Sequence, residues 1–280
     1  MITDAQVHLW NANTPQDPWE EGQKAHLPDP MPAERMLKFM DEAGIDRAIV
    51  SPANVAPNRS PACGQAAAAK YPKRFRVMAW FVPALESQWK LLPKWLEQPG
   101  VCSLRCSMNE PEHLKLFAEG KYDAVWQACV DQNIPVAIWT RAGPSLMEPV
   151  LAKYPKLAFI VDHFAWAVPG PDREAKVQSM IGFAKYPNVT VKVSSLPLVS
   201  GSPAPEYEDI HPILKRVHAA YGADRLMWAS DQTQTMGKSR GTYAENCDII
   251  RKYAAAYLPA ADIQKMLHDT ATRVFKWPVG

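Results

Sequence analysis

The chain has 280 residues, enough for one large α/β barrel or two small domains, and its 47% hydrophobic and 21% charged residues are an ordinary globular balance. A formal net charge of +2 gives no reason to expect nucleic acid or an anionic membrane as a partner. Five scattered cysteines without a CxxC pair, no apolar run of membrane-spanning length and no charged-then-apolar leader lead to the expectation of a cytoplasmic protein with reduced thiols.

Residues 4–10 (DAQVHLW) read as the first strand. Asp4, Gln6 and His8 take every second position, which on a regular strand sends all three to one face. Polar groups on a buried face are costly unless paired or used, so Gln6 and His8 become site candidates. The proline-rich residues 11–31, with Trp19 and His26, are long for a connection and are expected to form a lid or binding loop. A helix over 32–43 carries Met36, Leu37, Met40 and Ala43 on one stripe and stops at Gly44. After a strand at 47–53, Ser60-Pro61 opens a helix running to Lys70. A third strand, 75–83, precedes a helix with Ser87 as its expected cap and Trp89, Leu92, Trp95 and Leu96 along it.

The second half keeps the rhythm. Strands are expected at 101–108, 135–140, 157–164, 189–195 and 225–231. Helices are expected at 122–132, at 144–153, from Asp172, at 206–221 and 243–257, and finally at 261–275. Eight strand–helix units predict a single (β/α)8 TIM barrel over residues 1–280 with an extra C-terminal helix. A doubly wound open sheet is the competing reading, but no strand is followed by GxGxxG or a phosphate loop.

Chemistry in such barrels gathers at the carboxyl ends of the strands. There the sequence places Gln6, His8 and Trp10 on the first strand and Arg105 on the fourth. Arg141 follows the fifth, Asp162 and His163 end the sixth, Lys192 and Ser194 lie on the seventh, and Asp231 ends the eighth. Arg105 has no cheap core explanation because guanidinium stays charged, and it is expected to bind a substrate carboxylate bidentately. Arg141 and Lys192 are weighed equally as substrate ligands and as partners of acidic neighbours. Trp10, Trp80 and Trp166 are candidates for an aromatic wall, Trp139 and Trp228 for packing. His211 reads first as a local cap or surface group.

The segments DAQVHLW, FIVDHFA and RLMWASD, in that order, resemble the amidohydrolase superfamily. The closer resemblance is to its amidohydrolase-2 branch of sugar lactonases, pyrone dicarboxylate lactonases and aromatic acid decarboxylases. The resemblance extends through AERMLKFMDEAGIDRAIVSP and MLHDTATRVFKW. It implies that the first-strand His-x-His pair falls on Gln6 and His8, the mid-chain histidine on His163 and the last-strand aspartate on Asp231. Gln6 departs from the pattern, and its neutral amide is a poorer ligand for zinc than imidazole. The resemblance therefore leaves two routes: one divalent ion, zinc or manganese, on His8, His163 and Asp231, or the same side chains working without metal. It implies a hydrolase opening a small carboxylated lactone, ester or amide, with Asp231 as general base on water and His163 and His8 polarising the carbonyl. Gln6, Trp10, Trp80, Arg105, Arg141, Lys192 and Ser194 would contact the small-molecule substrate. Two other readings stand beside it: metal-assisted decarboxylation of an aromatic acid, and a barrel that binds ligand without turnover. A homo-oligomer is compatible with all three.

Overall fold

A computed structural model describes residues 1–27, 29–233 and 241–278. Its strands are β1 (Thr3–Leu9), β2 (Arg47–Pro52), β3 (Phe75–Trp80), β4 (Val101–Ser107), β5 (Val136–Trp139), β6 (Phe159–Val161), β7 (Val189–Ser194) and β8 (Leu226–Ala229). All neighbouring pairs are parallel and follow chain order from β1 to β8. The barrel closes just beyond β8, where the Asp231 N–H donates to the Gln6 carbonyl (3.0 Å) and the His8 N–H to the Gln232 carbonyl (2.6 Å). The predicted (β/α)8 barrel is the fold observed.

Alternation along the strands sorts two apolar layers. Ala5, Ile49, Met78, Cys102, Ala137, Ile160, Met227 and Ala229 pack in the lumen, with Phe275 and Trp277 of the C-terminal segment joining the same cluster. Val7, Val50, Val77, Leu104, Val136, Val191 and Trp228 face the helices. The packed lumen is a solid floor, so polar side chains can reach open space only above it, at the carboxyl ends.

One expectation about β1 is corrected. Pairing with β2 runs Asp4 to Ala48 and then Val7 to Val50, so β1 holds one residue more than its partner across that interval. This bulge breaks the alternation. Ala5 packs in the lumen and Gln6 also reaches inward, whereas Asp4 bonds Tyr243 on the helix side. Asp4 therefore does not share a face with Gln6 and His8.

Smaller corrections concern helix ends. Ser87 lies inside a helix over Glu86–Leu91 whose N-cap position is Leu85, and the preceding turn is closed by Gln88 accepting from the Val82 N–H at 2.5 Å. The helix expected from 206 starts at Ile210, because Asp209 gathers the turn before it, accepting from the Gly201 N–H (2.8 Å) and from Arg173 (2.7 Å). Helices at Pro111–Ala118 and Leu196–Val199 were not anticipated. Of the long connection after β1, residues 22–26 line the mouth, and its two ends are pinned where Trp10 and Met31 exchange backbone bonds of 3.1 and 2.9 Å.

Candidate active site

Above the apolar floor, the strand-end side chains form a closed circuit of hydrogen bonds. Lys192 Nζ donates to Gln6 Oε1 and to Asp162 Oδ1, both at 2.8 Å. Arg105 donates to Asp162 Oδ2 through Nε (2.8 Å), to Ser51 Oγ through Nη1 (3.2 Å) and to His163 Nε2 through Nη2 (2.6 Å), and its Nη2 forms an ion pair with Asp162 Oδ2 at 2.6 Å. Since His163 Nε2 accepts, its Nδ1 carries the proton and donates to Ser195 Oγ at 2.8 Å. Ser195 in turn donates to Asp231 Oδ2 (2.9 Å), and Gln6 Nε2 donates to Asp231 Oδ1 (2.6 Å). Ser194 Oγ lies 3.3 Å from His163 Nδ1 as a second, longer partner. Lys192 and Arg105 thus each donate to Asp162, and Gln6 and Ser195 each donate to Asp231.

His8 stands beside the circuit. Its Nδ1 is 2.9 Å from the Ser51 carbonyl, which can only accept, so Nδ1 bears the hydrogen. Its Nε2 is 3.0 Å from Asp231 Oδ1 and 3.3 Å from Gln6 Nε2. A proton placed on Nε2 would be held directly against the Asp231 carboxylate.

The electrostatics follow from burial and pairing. Burial pushes the Asp162 carboxyl up, but Arg105, His163 and Lys192 outweigh it and hold the group well below the usual carboxylate range. Asp231 behaves likewise: burial is overcome by His163, by the bond from His8 and by Arg105, and the group stays ionised. Burial lowers His163 to about 4, against the pull of Asp162 and Asp231, so it is a neutral imidazole at neutral pH. Burial also lowers Lys192, with Asp162 opposing.

Over this floor opens a cavity of 790 Å³ whose walls include His8, His26, Arg59, Trp80, Arg105, Trp139, Arg141, His163, Trp166 and Asp231. Of the sequence candidates, His8, Trp80, Arg105, Arg141, His163, Trp166 and Asp231 reach it. Gln6, Lys192 and Ser194 are fully buried beneath it. Trp10 is displaced, packing behind His26 at a centroid distance of 5.8 Å. The aromatic wall is instead Trp80 with Trp139 and Trp166, the last two edge to face at 4.9 Å. His211 bonds Tyr257 Oη at 2.8 Å and is not part of the lining.

Several functional residues escaped the sequence reading. Ser195 and Ser51 carry no signal beyond their place after or on a strand. Arg59 lies in a loop at left-handed φ (55°), with its guanidinium 4.8 Å over the Trp80 ring. Arg105 lies 4.7 Å over the same ring. Burial, then repulsion from Arg105, lowers Arg59 to about 10. Among the described residues, the side chains of Arg59 and Arg141 make no ion pair, so both present open guanidinium groups to the cavity.

The strand-end set can be placed in a family. A profile described as amidohydrolase, of the amidohydrolase-2 branch, matches residues 3–277. The chain belongs to the amidohydrolase family. This amidohydrolase is 36% identical over 80 residues to an L-fucono-1,5-lactonase from Burkholderia ambifaria, a stretch covering 28% of this chain and 27% of that one. Among solved structures, an amidohydrolase from Burkholderia multivorans with bound zinc superposes at a TM-score of 0.82, with 17% identity over 99% of this chain and 100% of that one. A probable 2-pyrone-4,6-dicarboxylic acid hydrolase from Acinetobacter baumannii with citric acid bound gives a TM-score of 0.74, at 16% identity over 98% and 99% of the two chains. At those identities the structural matches speak to the fold.

Zinc in one relative raises the question whether the amidohydrolase described here has a place for a metal. Its residues fit one poorly. Gln6 Oε1 accepts from the Lys192 ammonium and its Nε2 faces Asp231, so the amide turns a donor, not a ligand, toward the aspartate. His163 has both nitrogens engaged by Arg105 and Ser195. Lys192 and Arg105 already balance Asp162 and Asp231 in charge, so a divalent ion would add uncompensated positive charge to a buried site. Among the described residues, no three His, Cys, Asp or Glu side chains are gathered to hold an ion.

Proposed function

We propose that this amidohydrolase opens a small carboxylated lactone, or a related ester or amide, by water attack without a metal ion in the step. The observation that carries the reading is an ionised Asp231 at the cavity floor with His8 Nε2 3.0 Å from its Oδ1. A carboxylate near cations is in the basic form at neutral pH, and the adjacent imidazole nitrogen can hold the proton it collects.

Water attacks the lactone carbonyl carbon as Asp231 removes a proton, forming a carbon–oxygen bond and a tetrahedral oxyanion. Collapse breaks the ring carbon–oxygen bond, and the proton returns through Asp231 or His8 to the departing alkoxide. Arg105 donates three hydrogen bonds, to Asp162, Ser51 and His163, and its Nη2 is ion-paired with Asp162 besides. That locks the guanidinium in place with its charge available to the developing oxyanion. Arg105 is therefore assigned to the oxyanion, and the role of carboxylate clamp passes to Arg59 and Arg141, whose guanidinium groups make no ion pair among the described residues. Trp80, Trp139 and Trp166 flank a flat ring.

Hydrolysis in ¹⁸O-water tests the reading across a panel of carboxylated lactones. One ¹⁸O should enter the new carboxylate, and Asp231→Asn should lower kcat by about 10³-fold. Carbon dioxide release without incorporated oxygen, or near-normal turnover by the Asn variant, would overturn it.

A further inference from the structure

The buried Asp4 carboxylate has no place in the proposed chemistry, yet it is wired to both strands that supply it. Oδ1 accepts from the Gln6 N–H and the Ser230 N–H, each at 2.9 Å. Oδ2 accepts from Tyr243 Oη at 2.7 Å and from Ser230 Oγ. Ser230 Oγ itself accepts from the Gln232 N–H at 2.8 Å. We infer that Asp4 is the positioning residue of this site: it builds the β1 bulge that turns Gln6 inward and, through Ser230, fixes the backbone on both sides of Asp231.

The argument starts from the backbone. A bulge leaves an N–H without a ladder partner, and a short carboxylate two residues earlier in the chain is the cheapest local acceptor for it. Asp4 supplies that acceptor to Gln6. Without it β1 would return to strict alternation, and the one-residue slip would carry Gln6 away from Lys192 and Asp231. On the far side, Asp231 sits at left-handed φ (59°), a conformation that costs a non-glycine residue free energy and persists only where neighbours hold it. Here the neighbours are Ser230, held by Asp4, Gln232, held by Ser230 Oγ, and the Gln6 carbonyl, which accepts from the Asp231 N–H at 3.0 Å. One carboxylate thus sets the relative placement of the proposed base, of Gln6 and of the strand that bears His8. Displacing such groups by about 1 Å is enough to cost roughly 10²-fold in rate.

The kinetic consequence rests on Asp231 being the base, whereas the geometric one does not. The test compares Asp4→Ala, Asp4→Asn and Tyr243→Phe, with Asp231→Asn as control, by steady-state kinetics on the best lactone found and by amide hydrogen exchange. Asp4→Ala should lose about 10²-fold in kcat with KM within about threefold, and exchange at the Gln6, Ser230 and Asp231 amides should speed up. Asp4→Asn keeps a carbonyl oxygen for both N–H groups and should restore kcat to within about fivefold of wild type. Tyr243→Phe leaves both backbone bonds intact and should do the same. Unchanged exchange in a folded Asp4→Ala protein would overturn the positioning role, and so would equal losses in the Ala and Asn variants. An active Asp231→Asn control with faster exchange in Asp4→Ala would instead sink the base assignment and leave the positioning role standing.

Discussion

Lys192 decides which way round Gln6 sits. Its ammonium lies 2.8 Å from Gln6 Oε1, so the amide nitrogen must face Asp231, 2.6 Å away. Gln6 therefore relays positive character from a buried lysine to the proposed base.

Metal content should follow from this pairing. Protein purified without added metal should hold no stoichiometric zinc or manganese by elemental analysis. Gln6→His alone should not acquire one, because the Lys192 ammonium would still confront the new imidazole. A full equivalent of metal in the wild type would refute the metal-free reading, and one in the variant alone would show that Gln6, not Lys192, excludes it.

Removing the lysine should be costly to stability. Lys192→Met leaves Asp162 with one fewer buried cation and Gln6 Oε1 without its donor, a truncation expected to destabilise the fold by about 3 kcal/mol or more. Urea unfolding measures this directly. A loss under about 1 kcal/mol would mean that Arg105 alone suffices for Asp162.

The two open guanidinium groups should control substrate binding and leave the chemical step nearly untouched. Arg59→Ala and Arg141→Ala should each raise KM about tenfold or more for a carboxylated lactone, with kcat within a fewfold. A matched lactone lacking the carboxylate should show no such change. Equal effects on both substrates would remove these arginines from the anion-binding role.

Asp4 should leave a signature in the pH dependence of stability. Burial raises its carboxyl from 3.8 to about 6, because four hydrogen bonds from neutral donors do not offset the loss of solvent. An acid whose pKa is raised on folding binds more protons in the native state between about pH 4 and 6. Its contribution is therefore fully present below that window and is lost as pH rises through it, by about 3 kcal/mol at about 1.4 kcal/mol per unit. Asp4→Asn lacks this term, so its stability relative to wild type should climb from pH 4 to pH 7. A flat difference across that range would show that Asp4 is not buried as a lone carboxylate.

Much of this architecture is legible in the chain itself. The alternation of short β-branched runs with amphipathic stripes determines eight strand–helix units, since period 2 and period 3.6 bury different residues. Barrel geometry then places His8, Arg105, His163, Lys192 and Asp231 at one end of the barrel. What those residues do to one another was decided only by tertiary contact. Arg105 meets Asp162 from 57 positions away and Lys192 meets Gln6 from 186, and no local pattern records either pair. Ser195 enters the site because the serine just after β7, at left-handed φ (55°), lies between His163 and Asp231. Arg59 enters through a loop whose course depends on what it packs against. Asp4, Gln6 and His8 show the division most clearly: their spacing marks a polar strand, but one extra residue against β2 sends Asp4 outward and Gln6 inward. A bulge changes facing without changing sequence period, so only the paired strand reveals it.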